Sequence, residues 1–129
     1  MPKLTGIRPR PEPRGGSGEQ LRAFKAELFK ALAHPARVRI LELLRIEART
    51  VSELQADLGI EPSSVSQQLA VLRARHIVEG RREGTSVYYT VQEPEVFVLL
   101  DAARRIFNNH LVDLQAIAGE DVVAAAGGG

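Results

Sequence analysis

Apolar residues recur at intervals of three and four along most of this chain, and at intervals of two in one short region past its middle. Residues 19–33 place Leu21, Phe24, Leu28 and Ala31 with Leu32 on one side of a helix. His34-Pro35 breaks that run, and Pro35 suits the first position of a second helix, where its missing N–H costs nothing. This second helix, 35–46, is expected to bury Val38, Leu41, Leu44 and Ile40. Thr50-Val51-Ser52-Glu53 has the spacing of a capping box, which starts a short third helix that ends at Gly59. Pro62 opens a fourth helix that runs to about Arg75.

Beyond His76 the period shortens. IVEGRR and SVYYTV read as two strands around a Glu83-Gly84-Thr85 turn. In the second strand Val87, Tyr89 and Val91 are expected to face inward, and Ser86, Tyr88 and Thr90 to face water. From Pro94 to about Ile117 the helical period returns, through Val96, Leu100, Ala103, Phe107, His110, Leu111 and Leu114. At 1.5 Å per residue that helix is about 36 Å long. The pattern predicts a mainly α fold with one small β-hairpin. Two short helices across a tight turn, followed directly by a hairpin, make a winged helix-turn-helix. The predicted domain spans 19–118. A Pro/Gly-rich basic arm, 1–18, precedes it, and a disordered tail, 119–129, follows. The arm has two readings: a terminus without a role, or a segment that touches DNA phosphates.

The stretch EPSSVSQQLAVLRARH, residues 61–76, carries the most specific chemistry. Val65, Leu69 and Leu72 form a stripe that anchors its helix. Ser63, Gln67, Ala70 and Ala74 lie opposite, with Ser64, Ser66 and Gln68 at the flanks. No acidic residue occurs between Pro62 and Arg75. A helix that only faces solvent normally carries Glu and Lys pairs instead. Small neutral Ser and Gln side chains can hydrogen-bond base edges, and Ala allows close approach to a groove floor. Arg73 and Arg75 can hold phosphates, and Arg81, Arg82 and Thr85 of the hairpin sit where a wing grazes the sugar-phosphate backbone. The plainer reading, a polar surface helix, is weakened by this surrounding arrangement.

The net charge of the 129 residues is only +1, but its distribution is uneven. Residues 1–92 carry 15 Lys and Arg against 10 Asp and Glu; residues 93–129 carry 2 against 6. The basic part therefore holds the 61–76 stretch. The lack of Cys removes disulfides, thiolate metal sites and thiol switches together. No apolar run approaches the roughly 18 residues of a membrane span, and the N-terminus lacks the apolar centre of a signal peptide. The chain reads as a soluble cytoplasmic protein.

LFKALAHPARVRILELL (28–44), SELQADLGIEPSSVSQQLAVLRARHIV (52–78) and GRREGTSVYYTV (80–91) together strongly resemble the ArsR/SmtB family of bacterial winged-helix repressors. The resemblance spans about residues 20–117. It implies a homodimer formed through the first and last helices, by way of Leu21, Phe24, Leu28, Val96, Leu100, Ala103, Phe107, Leu111 and Leu114. The long apolar stripe of 94–117 fits a partner independently, although a monomer core could also use it. Two recognition helices would then read an inverted repeat in double-stranded DNA about one turn apart. The resemblance further implies repression relieved by an inducer, often a metal ion.

The family's thiolate pair would fall on Thr50 and Ser52, neither of them a soft-metal ligand. Of the family's site along the last helix, only His110 and Asp113 match; the other half falls on Phe97 and Leu99. His110 and Asp113 are therefore weak metal candidates, and no cofactor is expected. His34 reads as a cap, and His76 as a turn residue in a place where a left-handed conformation suits. The inducer, a small molecule or an atypical oxygen/nitrogen-bound metal, stays open. Catalysis has no support: there is no Cys nucleophile, phosphate loop or zinc-protease motif. A winged-helix module for protein interaction is the remaining rival.

Overall fold

The computed structural model describes the backbone of residues 17–128 and the side chains of residues 17–118. The elements run α1 (Ser17–Leu32), α2 (Pro35–Ile46), α3 (Val51–Leu58), α4 (Pro62–Ala74), β1 (Val78–Glu83), β2 (Ser86–Val91) and α5 (Glu95–Gly128). This is the five-helix, one-hairpin order that the hydrophobic periods predict. The chain divides into two compact units, one ending at Gln92 and the other beginning at Glu93.

In the first unit α2 is the central element. It packs against α1, α3, α4 and β2. Its Ile40, Leu41, Leu43 and Leu44 are buried, together with Ala31, Leu54, Val65, Leu69, Leu72, Ile77 and Val78. Each large side chain among them contributes roughly 1.5–3 kcal/mol by leaving water. Val38, expected in this core, is only half-buried, and Leu43 takes its place. The exchange follows from α2 being covered on several sides, so that its buried surface is wider than one stripe.

Local chemistry sets the helix ends. The Nδ1 of His34 accepts a hydrogen bond from the Ala36 N–H at 3.1 Å, so His34 caps α2 while Pro35 occupies its first turn. Thr50 and Glu53 form the reciprocal capping box at the head of α3, and Gly59 closes that helix with φ 69°. At the end of α4 the Ile77 N–H donates to the Leu72 carbonyl and the His76 N–H to the Arg73 carbonyl. That pair of bonds is a Schellman closure, with Leu72 and Ile77 as its apolar contact. His76 fills the left-handed position, at φ 59°, where glycine is commoner.

The hairpin is antiparallel with Val78 opposite Val91 and Glu83 opposite Ser86, leaving a two-residue loop in which Gly84 adopts φ 65°. Glu83 is therefore in the strand, not in the turn. At Gly80, a Cβ would lie 3.1 Å from the Tyr89 ring and 3.0 Å from Val87, so any larger residue would make both side chains shift by a few tenths of an ångström. The expected division of β2 into a dry and a wet face is not found. All six of its residues are half-buried. One cause lies beyond the hairpin, where Arg49 forms a further bridge to Tyr89.

Two boundaries differ from the sequence expectation. Helix α1 begins at Ser17, inside the expected arm, and residues 1–16 lie outside the described residues. In the second unit α5 continues as helix to Gly128, through the region expected to be a tail. Val122, Val123 and the three alanines at 124–126 supply no stop signal, and alanine is the strongest helix former.

Candidate nucleic-acid interface

Helix α4 is divided lengthwise. Val65, Leu69 and Leu72 are essentially inaccessible to water. Ser63, Ser66, Gln67, Ala70, Arg73 and Ala74 are exposed, and Ser64 and Gln68 are half-buried at the margin. The buried stripe fixes the rotation of the helix, and that rotation leaves a continuous acid-free face of small and amide side chains open. Pro62 starts the helix without a side-chain cap at Glu61. Pro62 has no N–H and the Ser64 N–H donates to the Glu61 carbonyl at 2.9 Å, so the positive end of the helix dipole lies beside Ser63 and Ser64 with few open donors.

Two predicted contact residues are already engaged by the protein. The Gln68 Oε1 accepts a hydrogen bond from Arg37 Nη1 at 2.7 Å. The Arg75 guanidinium donates to Glu27 of α1 at 2.8 Å. Arg75 therefore ties the end of α4 to α1 in this conformation. Arg73 is exposed and makes no ion pair among the described residues.

In the hairpin, Arg81 lies opposite Tyr88 and Arg82 opposite Val87. Adjacent strand residues point to opposite faces, so the two arginines do not form one patch. Arg81 shares its face with Glu79, Glu83, Tyr88 and Thr90. Arg82 shares the other with Gly80, Val87 and Tyr89. Both are exposed and neither is in an ion pair among the described residues, and Thr85 is exposed at the tip. Each arginine is thus open to a phosphate, from different sides of the ribbon.

Arg49 holds this ribbon in place, a role the sequence did not reveal. Its backbone N–H donates to the Tyr89 carbonyl at 3.2 Å, and its carbonyl accepts from the Tyr89 N–H at 2.8 Å. Its guanidinium reaches Asp57 of α3 at 3.0 Å and Glu47 at 3.8 Å. This residue adds a polar tie between the wing and α3 to the packing of the hairpin against α2, α3 and α4. Its position directly before the Thr50 cap was the available signal, because a cation beside a helix start needs a partner of its own.

The predicted dimer residues behave unevenly. Leu28 and Leu100 are half-buried, while Leu21, Phe24, Ala103, Phe107, Leu111 and Leu114 are exposed. Val96 is already buried in the single chain, which leaves a partner nothing to cover there. Ile106 and Ile117 extend the exposed apolar surface of α5. His110 and Asp113 are both exposed on α5, one helical turn apart. No group of three His, Cys, Asp or Glu side chains able to hold a metal occurs among the described residues. No described helix is long and apolar enough to cross a membrane.

Comparison with known proteins agrees with this geometry. Residues 34–79, from the α2 cap to the start of β1, match the family described as "Bacterial regulatory protein, arsR family". The HTH-type transcriptional regulator Rv0081 of Mycobacterium tuberculosis is 47% identical over 100 residues, which cover 77% of this chain and 88% of that one. The chain belongs to the ArsR family. The crystal structure of Rv0081 superposes with a TM-score of 0.67 at 48% identity, covering 72% of this chain and 94% of that one. The homodimeric winged helix-turn-helix DNA-binding domain of Mb0332 from Mycobacterium bovis gives a TM-score of 0.67 at 32% identity, over 77% and 94% of the two chains. The biofilm growth-associated repressor of Agrobacterium fabrum is 42% identical over 82 residues, 64% of this chain and 70% of that protein.

As an ArsR-family member the chain is a DNA-binding transcriptional regulator with a winged helix-turn-helix fold. Its relatives and structural neighbours are regulators, not enzymes. The reading as a non-DNA interaction module is set aside on the same grounds.

Proposed function

We propose that the protein is a cytoplasmic, homodimeric repressor that reads an inverted-repeat operator, one half-site per α4. The observation that carries this reading is the acid-free face of α4, held outward by a fully buried stripe on the same helix. Ser63, Ser64, Ser66 and Gln67 face base edges; Arg73, Arg81, Arg82 and Thr85 hold the backbone on either side. Dimerisation through α1 and α5 is supported by their exposed Leu21, Phe24, Phe107, Leu111 and Leu114, and by the homodimeric Mb0332 domain. Repression is supported by the Agrobacterium relative. The releasing signal acts without thiolates: the chain has no Cys, and the Thr50 hydroxyl is already committed to the α3 cap.

The test compares binding to operator and random duplexes at two salt concentrations. Gln67→Ala lowers operator affinity about tenfold, the loss of 1–3 kcal/mol typical of a base contact, and changes random-duplex affinity little. Arg81→Ala weakens both and reduces the salt slope by about one unit. Equal losses on both duplexes for Gln67→Ala contradict base reading by α4.

A further inference from the structure

Gln67 and Gln68 are neighbours of identical chemistry, yet the structure treats them differently. Gln67 is exposed, with both ends of its amide free to bond. Gln68 is half-buried, and its oxygen is taken by Arg37. Arg37 is itself tightly held. Its Nε donates to the Ala31 carbonyl at 2.6 Å and its Nη2 to the Lys30 carbonyl at 3.3 Å. Those carbonyls belong to the last turn of α1, and the Lys30 carbonyl also accepts from the Ala33 N–H at 3.2 Å. One guanidinium therefore joins the end of α1, the start of α2 and the flank of α4.

A guanidinium has donors only, so the amide atom facing it must be oxygen. That settles an orientation otherwise open to interchange of nitrogen and oxygen. The Gln68 NH2 group is turned the other way. It has no hydrogen-bond partner among the described residues, and it is not among the buried unsatisfied atoms. Ser64, one turn earlier in α4, is half-buried on the same margin of the open face.

We propose that Arg37 is a positioning residue for DNA recognition. It holds the Gln68 oxygen toward α2 and so turns the NH2 donor to the duplex. While that bond is kept, the Gln68 oxygen is not free to swing to an adenine edge, as the amide of the exposed Gln67 is. The matching atom on the duplex is an acceptor, on a base edge or on a phosphate. This proposal rests on the reading of α4 as the DNA-contacting helix.

A double-mutant cycle on the full-length protein tests it, with Arg37→Met, Gln68→Met and the pair together. Operator and random-duplex affinities are measured with thermal unfolding alongside. Gln68→Met weakens operator binding about 3- to 10-fold, the loss of one hydrogen bond. Arg37→Met also weakens it, and the double variant is no weaker than the more affected single variant, because Arg37 acts through Gln68. A loss by Gln68→Met confined to operator assigns the acceptor to a base; an equal loss on random duplex assigns it to a phosphate. Should Arg37→Met unfold, Arg37→Lys replaces it in the same cycle, keeping one donor and the charge. Losses that multiply, or a Gln68→Met variant that binds normally, overturn the proposal. The reading of α4 itself fails in a distinguishable way: Gln67→Ala and Gln68→Met would then both leave operator binding unchanged.

Discussion

Helices α4 and α5 carry the same kind of apolar stripe with opposite outcomes. On α4, Val65, Leu69 and Leu72 are at most 1% exposed. On α5, Phe107 is 58% exposed, Leu114 47% and Ile106 68%. Both stripes have helical spacing and similar residue types. A stripe therefore states that a surface must be covered and leaves open what covers it. On α4 the cover is the chain's own core, and the opposite face is free for another task. On α5 the apolar side chains themselves are the open surface, a pattern suited to a second copy.

Three substitutions sharpen this contrast. The largest effect is expected for Leu69→Ala, which removes a fully buried side chain and lowers stability by about 2–5 kcal/mol in denaturant unfolding. A loss below about 1 kcal/mol would mean that α4 is not anchored by its stripe. Phe107→Glu comes next. It weakens self-association at least tenfold, about 1.4 kcal/mol, by sedimentation, and leaves the helical circular dichroism of the first unit in place. An unchanged dimer would assign the α5 stripe to some other cover. The smallest stability effect belongs to Ser66→Ala, within about 0.5 kcal/mol, because an exposed hydroxyl on the open face supports nothing in the fold. Its operator affinity nonetheless falls, measured by fluorescence anisotropy. A marked loss of stability there would make the Ser/Gln face structural.

Features whose partners lie within a few residues were legible in the sequence. The His34 and Thr50 caps, the Pro35 helix start, the Gly59 closure and the left-handed His76 each depend on such short-range bonds. The acid-free face of α4 was legible for a similar reason, since one helix period defines it. Contacts that join distant segments were not. Arg37 meets Gln68 across 31 residues, and Arg75 meets Glu27 across 48. No periodicity pairs such residues, so Gln68 read as free and Arg75 as a phosphate ligand. The split of Arg81 from Arg82 is a different kind of miss. It follows from the two-residue period of a strand, which was not applied to these two residues. The length of α5 was underestimated because the end of its apolar stripe was taken for the end of its helix. Loss of a stripe ends the reason to pack, while helix continues wherever the residues favour it.

The central claim is that two copies of α4 read DNA together. Its most direct measurement is selection of bound sequences from random duplexes by the purified protein. The account predicts an enriched inverted repeat whose half-sites are centred about one helical turn, some 10–10.5 base pairs, apart. Enrichment of a single unpaired half-site, or of no sequence at all, would contradict it.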